Sequence, residues 1–116
     1  GGQSSGRSMS DPDCARLDAA ILRAGSDDYL DLSYLSYLAE EELPSRDAEE
    51  VRLILLQALR RLLSRRQLRA GNLEPPGEFV PWSLAPDQAY ARIETQLEEL
   101  DRPLRVGDIA WFEVPE

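Results

Sequence analysis

The sequence lacks histidine and lysine altogether, and its 116 residues include a single cysteine, Cys14. Without histidine, serine and cysteine nucleophiles have no imidazole base to activate them. Metal sites built from histidine and cysteine are excluded for the same reason. No phosphate-binding glycine loop of the GxGxxG or P-loop type is present. We therefore predict a protein that is not an enzyme, with no catalytic residues, no metal site and no cofactor.

Long hydrophobic runs are also missing. No stretch approaches the ~18 continuous apolar residues of a membrane span, and no secretory signal is visible. A lone thiol fits a reducing compartment, so we expect a cytoplasmic protein with no membrane partner. Residues 1–8 have no apolar side chain and look like a disordered remnant of an expression tag, with the native protein beginning at Met9. Residues 9–116 are the usual size of one domain.

Basic residues are fewer than acidic ones. Twenty-two acidic residues face thirteen basic ones, a net charge of −9, and every basic residue is arginine. We interpret the absence of lysine as the codon bias of a GC-rich bacterial genome. A strongly negative chain repels nucleic acid and anionic membranes at long range, and it suits a partner with a basic surface. Among so many acids, no feature selects a pair for carboxylate catalysis, which leaves that enzyme class as a residual alternative.

Hydrophobic periodicity and turn signals give the element order. We predict helices over 11–25, 33–42, 46–66 and 86–100, with short strands or extended segments near 29–32, 68–70, 79–82 and 106–114. Asp11, Ser26–Asp28 and Ser45 are the expected N-caps, and Gly71–Asn72 is the expected start of a turn. The apolar arc of 46–66 is wide and leaves only Leu53 outside it, which indicates a helix packed on several sides.

This order of elements is typical of a winged-helix domain. Residues 68–73 follow the long helix where such domains begin their wing hairpin. The segment Phe79-Val80-Pro81-Trp82, the helix 86–100 and the ending Gly107-Asp108-Ile109-Ala110-Trp111-Phe112 resemble a group of small uncharacterised proteins from GC-rich bacteria. The resemblance implies an α+β, mostly helical fold. It would have a winged-helix-like three-helix core, a short β-hairpin, and an added C-terminal helix and strand. It transfers no activity.

A basic cluster lies at the end of the long predicted helix. The cluster lies in a stretch without acids between Val51 and Leu73 and comprises Arg60, Arg61, Arg65, Arg66 and Arg69. Arg60 and Arg61 share one polar face of the predicted helix, whereas Arg66 points elsewhere. A DNA-binding winged helix reads bases with the other, N-terminal end of this helix. Here that end carries Asp47, Glu49 and Glu50. The arginines also match the negative end of the helix dipole, so their role as a site or as structure stays open.

A second candidate surface combines aromatic and acidic side chains. Tyr34 and Tyr37 lie three residues apart on one helix, and Glu40, Glu41 and Glu42 occupy its last turn, where the dipole disfavours them. We therefore expect an interaction surface drawn from two sets of residues. These are Tyr34, Tyr37, Glu40, Glu41 and Glu42, and Arg60, Arg61, Arg65 and Arg69.

Two functions remain after these exclusions. The first is a small acidic protein-interaction module, an adaptor or an immunity-type inhibitor, whose partner is another protein with a basic surface. The alternative is a winged-helix DNA-binding transcriptional regulator, which would use the arginines and the wing.

Overall fold

The computed structural model describes residues 12–75 and 77–115, and over these residues the protein is an α+β structure with four helices and one four-stranded antiparallel sheet. The elements are α1 (Pro12–Gly25), β1 (Leu30–Asp31), α2 (Leu32–Glu42), α3 (Ala48–Ser64), β2 (Arg69–Glu74), β3 (Glu78–Pro81), α4 (Pro86–Glu99) and β4 (Trp111–Glu113). The predicted tag remnant, the start at Met9 and the predicted cap Asp11 lie outside the described residues.

Helix α2 begins at a buried aspartate. The side chain of Asp31 is the N-cap and accepts the backbone N–H of Tyr34, and the residue is only 5% exposed. The expected cap at Ser26–Asp28 was wrong, because the chain passes through β1 before the helix starts. Asp28 instead accepts the N–H of Tyr29 in the preceding turn. The cap therefore joins the strand and the helix directly.

Helix α3 is the centre of the packing, and it contacts α1, α2 and α4. Its buried side chains are Val51, Ile54, Leu55, Leu56, Ala58, Leu59, Leu62 and Leu63, and Leu53 is exposed as the periodicity predicted. The predicted cap Ser45 was wrong. Asp47 accepts the N–H of Glu50 at 2.9 Å, so the helix begins at Ala48. It ends at Ser64, because Arg66 turns the chain with a positive φ of 59°.

The strand order in the sheet is β1-β4-β2-β3, so the last strand lies between the first and the second. Phe112 of β4 is completely buried and pairs with Leu30 on one side and with Ala70 on the other. The expected turn at Gly71–Asn72 was wrong, since both residues lie inside β2. A side chain at Gly71 would come within 2.8 Å of the Pro81 Cα, so glycine here allows close approach of β3. The strand predicted over 79–82 is β3, which lies at one edge of the sheet and ends at Pro81.

Helix α4 begins at Pro86 and packs along α3 through Ala89, Ile93 and Leu97. Beyond the first turn of α3, the side chains of that helix that stay exposed are Arg52, Leu53, Gln57, Arg60 and Ser64. Within the described part of the chain, no helix is long and apolar enough to cross a membrane.

Candidate functional site

The nine predicted surface residues divide between two places. Tyr34, Tyr37, Glu40, Glu41 and Glu42 lie on α2, whereas Arg60, Arg61, Arg65 and Arg69 lie at the end of α3 and the start of β2. We call the first set the tyrosine face and the second the arginine end. The structure gives the two sets different surroundings.

Arg61 of the arginine end forms an ion pair with another part of the fold. Its Nε and Nη2 donate to the two carboxylate oxygens of Asp18 on α1, at 2.9 and 2.7 Å. Both side chains are mostly shielded from solvent, with 27% and 18% exposed. The hydrogen bond to Asp18 raises the pKa of Arg61, so the guanidinium stays charged. This bidentate pair links α3 to α1, which makes a second role in binding a partner unfavourable.

Arg69 and Arg60 are also engaged within the molecule. Arg69 pairs with Glu113, which lies directly opposite it where β2 meets β4. The guanidinium of Arg60 lies over the ring of Tyr90 on α4, 5.6 Å from its centroid. Burial raises the pKa of the Tyr90 hydroxyl, and the nearby Glu94 adds to this effect. Arg65, the C-cap of α3, is exposed.

The tyrosine face is presented to solvent. Tyr34 and Tyr37 are 42% and 54% exposed, on the side of α2 away from the buried Leu35 and Ala39. Their rings stack on each other, with centroids 6.1 Å apart and an interplanar angle of 30°. The pair forms an exposed aromatic patch on α2. Its geometry is held by the helix and by the Asp31 cap.

The three glutamates beside the tyrosines differ in whether they form an ion pair. Glu42 turns towards α1 and pairs with Arg16, with Nε and Oε1 3.5 Å apart. Glu40 and Glu41 are exposed and form no ion pair with any other described residue. The tyrosine face therefore carries two uncompensated negative charges next to its aromatic surface.

A groove that the sequence did not predict is lined by none of the residues of the tyrosine face. It has a volume of about 450 Å³ and is formed where the last turn of α3, β2, the end of β3 and the start of α4 meet. We call it the Arg66 groove, after an arginine on its wall. Its apolar lining includes Leu63, Leu68, Ala70, Trp82, Leu84 and Ala89, and Arg66 and Arg69 supply its charge. The signal available in the sequence was the pair Trp82 and Leu84, since apolar side chains left at a surface can mark a binding groove.

The segment Gly107–Phe112 (Gly-Asp-Ile-Ala-Trp-Phe) is held to the rest of the fold by hydrogen bonds. Asp108 accepts hydrogen bonds from both terminal nitrogens of Arg102 and from the N–H of Arg105. The hydrogen bond from Arg102 is the main cause that lowers the pKa of Asp108 to about 2. The N–H of Gly107 donates to the buried Asp31 at 2.9 Å, so this loop is tied to the start of α2. This hydrogen bond connects the loop before β4 to the N-cap of the helix that carries the tyrosine face.

The described residues contain no cluster of metal-binding side chains. Among residues 12–75 and 77–115, no three acidic or cysteine side chains stand close enough to hold a metal ion. Cys14 is half-buried and packs against the core. No described acidic side chain lines the Arg66 groove, so its chemistry is that of binding an anion or an apolar group.

Comparison with known proteins adds no assignment: no protein-family model, no curated protein and no solved structure matches the chain.

Proposed function

We propose that this protein is a non-enzymatic protein-interaction module that binds a basic partner protein through the tyrosine face of α2. The observation that carries the proposal is the exposed, mutually stacked pair Tyr34 and Tyr37 beside the unpaired acids Glu40 and Glu41.

Exposed tyrosines on a helix are suited to binding another protein. Tyrosine is enriched at protein interfaces because its ring buries a large apolar area while its hydroxyl remains able to hydrogen bond. Two rings that already stack lose little side-chain freedom on binding, so less of the binding free energy is spent on ordering them. The tyrosine face is therefore pre-organised for contact.

The charge beside the tyrosines favours a basic partner. Glu40 and Glu41 form no ion pair in the described chain, and the net charge of −9 adds a long-range field of the same sign. Such a field speeds the encounter with a positively charged surface and disfavours acidic competitors. An adaptor or an immunity-type inhibitor in the bacterial cytoplasm fits this combination.

The scaffold behind this surface is, in this proposal, winged-helix-like. The order α1-β1-α2-α3-β2-β3 supports the assignment, and so does the hairpin of β2 and β3. The insertion of β4 between β1 and β2 is the feature that distinguishes this chain from a bare three-helix core with a hairpin. Small bacterial proteins with the same helix-plus-GDIxWF ending are the relatives we expect.

Affinity purification from cells that make the protein naturally tests the proposal, provided that variants are compared. We expect the wild-type chain to retain a protein with a basic surface at low salt. The double variant Tyr34→Ser with Tyr37→Ser is expected to lose it. Leu53→Ser is the matched control, because Leu53 is also a large exposed apolar residue but lies on α3. Equal recovery with all three chains would contradict the assignment of the tyrosine face.

A DNA-binding regulator is the second candidate. The observation in its favour is the exposure of Arg65 and Arg66 at the end of the third helix, next to the β2–β3 hairpin. The ion pairs of Arg61 and Arg69 withdraw two other arginines from contact with phosphate, which is why we rank it second. A mobility-shift titration with mixed duplex DNA separates the two, since DNA binding would weaken steeply with salt.

A further inference from the structure

The Arg66 groove lies away from the tyrosine face, and its lining has the composition of a small-molecule site. Its volume of about 450 Å³ falls within the ~300–1,000 Å³ of typical ligand pockets. Leu63 and Leu68 form its inner wall and are buried, whereas Leu84 is exposed at its rim. The indole of Trp82 is held in place by a hydrogen bond to Asn72 at 3.1 Å and by Arg92, whose guanidinium carbon lies 4.1 Å from the ring centroid. A rigid aromatic wall and a branched aliphatic wall thus face the same space.

The charge of the groove has one sign although the whole chain is acidic. The charged side chains in its described lining are Arg66 and Arg69. Arg69 is already matched by Glu113 through two of its nitrogens. Arg66 has no ion pair with any other described residue. The two arginines and Glu113 together leave one uncompensated positive charge, which corresponds to a ligand carrying a single negative charge.

The backbone at Arg66 supports a role for its side chain. Its φ of 59° lies in the left-handed region, where glycine or asparagine usually ends a helix. A residue with a Cβ atom is strained in this conformation, whereas glycine is not. Glycine would end α3 equally well but would leave the groove without its unpaired cation. Strain of this kind is a recognised mark of functional positions.

From this geometry we propose that the Arg66 groove binds a small amphiphilic monocarboxylate. The apolar body of the ligand lies against Leu63, Leu68 and Trp82, and its carboxylate pairs with the guanidinium of Arg66 at the rim. A carboxylate accepts two parallel hydrogen bonds from one guanidinium, which fixes the direction of the bound molecule. The site is independent of the tyrosine face, so its test does not depend on the partner protein.

Titration of the full chain with octanoate, followed by amide and indole NMR signals, tests this site. Trp82 lies in the groove and Trp111 does not, so the chain contains its own reference indole. We expect a saturable shift of the Trp82 indole and of amides near Arg66 and Leu84, with a much smaller change at Trp111. Octan-1-ol has the same chain without the charge, and we expect it to bind about three- to tenfold more weakly.

Variants of neighbouring arginines give the decisive comparison. Arg66→Gln is expected to weaken octanoate binding by about three- to tenfold, since one charge-assisted contact is lost, whereas Arg65→Gln changes it by less than about twofold. Arg66→Gly is a second variant that relieves the backbone strain, so it is expected to keep or raise the melting temperature while binding weakens equally. Shifts that do not saturate, equal affinity for octan-1-ol, or unchanged binding in both Arg66 variants would overturn the proposal.

Discussion

The tyrosine face and the arginine end both concentrate charge, but they use it in opposite ways. At the arginine end, Arg61 joins α3 to α1 and Arg69 joins β2 to β4, so the charges hold elements of the fold together. On the tyrosine face, Glu40 and Glu41 form no ion pair with another described residue. The difference teaches that a run of like charges in a sequence does not by itself identify a binding surface. What matters is which of the charges remain unpaired after folding.

The arginine end and the tyrosine face are also expected to contribute differently to the free energy of unfolding. A shielded, bidentate ion pair such as Arg61–Asp18 is expensive to break, because the remaining partner keeps its charge in a poorly hydrated place. An exposed glutamate or tyrosine contributes little to folding, and it remains available for a partner. Substitutions in the two regions are therefore expected to separate stability from binding.

The largest expected effect on stability is at Asp31, which holds the start of the tyrosine face. Asp31→Ala removes the acceptor for the N–H groups of Tyr34 and Gly107 and for the Ser33 hydroxyl. Losing a helix cap and leaving three part-buried donors without their acceptor is expected to lower the free energy of unfolding by about 1–3 kcal/mol. Urea unfolding followed by circular dichroism measures the change. Asp28→Ala, an exposed acid with a local hydrogen bond, is the control and is expected to lose less than about 1 kcal/mol.

The next largest effect is at Arg61 and tests whether the arginine end is structural. Arg61→Met keeps the length of the side chain but leaves Asp18 without its partner, which is expected to destabilise the fold by about 1–3 kcal/mol. Arg65→Met is the matched control at an exposed position of the same helix end, and we expect a change within about 0.5 kcal/mol. Equal unfolding curves for the two variants would show that the Arg61 pair contributes no net stability.

A third ion pair, Arg102–Asp108, is expected to make the stability of the fold depend on pH. The folded-state pKa of Asp108 is about 2, below its ordinary value of 3.8, because Arg102 donates to the ionised carboxylate. This group therefore adds stability above pH 3.8, and the contribution is lost as the pH falls from 3.8 through about 2.

Melting temperatures of wild type and Asp108→Asn between pH 5 and pH 2 check this prediction. The variant is expected to be less stable at pH 5, and the difference is expected to shrink as the pH falls, since the wild-type carboxylate is then protonated too. A difference that stays constant over this range would mean that Asp108 does not act through its ionised form.

The smallest expected effect on stability is at the tyrosine face itself. The double variant Tyr34→Ser with Tyr37→Ser removes one exposed aromatic stack and is expected to change the free energy of unfolding by less than about 1 kcal/mol. Urea unfolding of the double variant beside wild type measures it. A loss of several kcal/mol would place the tyrosines in the core and remove them from consideration as a docking surface.

Local signals in the sequence predicted most of the elements and their order. The amphipathic pattern and Pro86 placed α4 over 86–100, one residue beyond its observed end, and the apolar arc of α3 was correct down to the exposed Leu53. The errors arose where two local signals competed. Ser45 and Asp47 both suit an N-cap, and Gly71–Asn72 suits a turn as well as a close approach of two strands.

The site depends on contacts between distant parts of the chain, and these a single sequence does not reveal. Asp18 and Arg61 are 43 residues apart, and Arg69 and Glu113 are 44 apart. Without these pairs, Arg60, Arg61, Arg65 and Arg69 were all candidates for one interaction surface. The Arg66 groove likewise forms only when α3, β2 and α4 come together, so the predicted surface included Arg65 and left Arg66 out.

Site-specific photo-crosslinking tests the central claim most directly. A benzophenone amino acid is placed at position 37 on the tyrosine face or at position 65 on the arginine end, and the full chain is irradiated in the cells that make it. We predict a discrete adduct with a basic protein from position 37, weakened by Glu40→Gln with Glu41→Gln, and no such adduct from position 65. An adduct from position 65 alone, or none from position 37, would contradict the account.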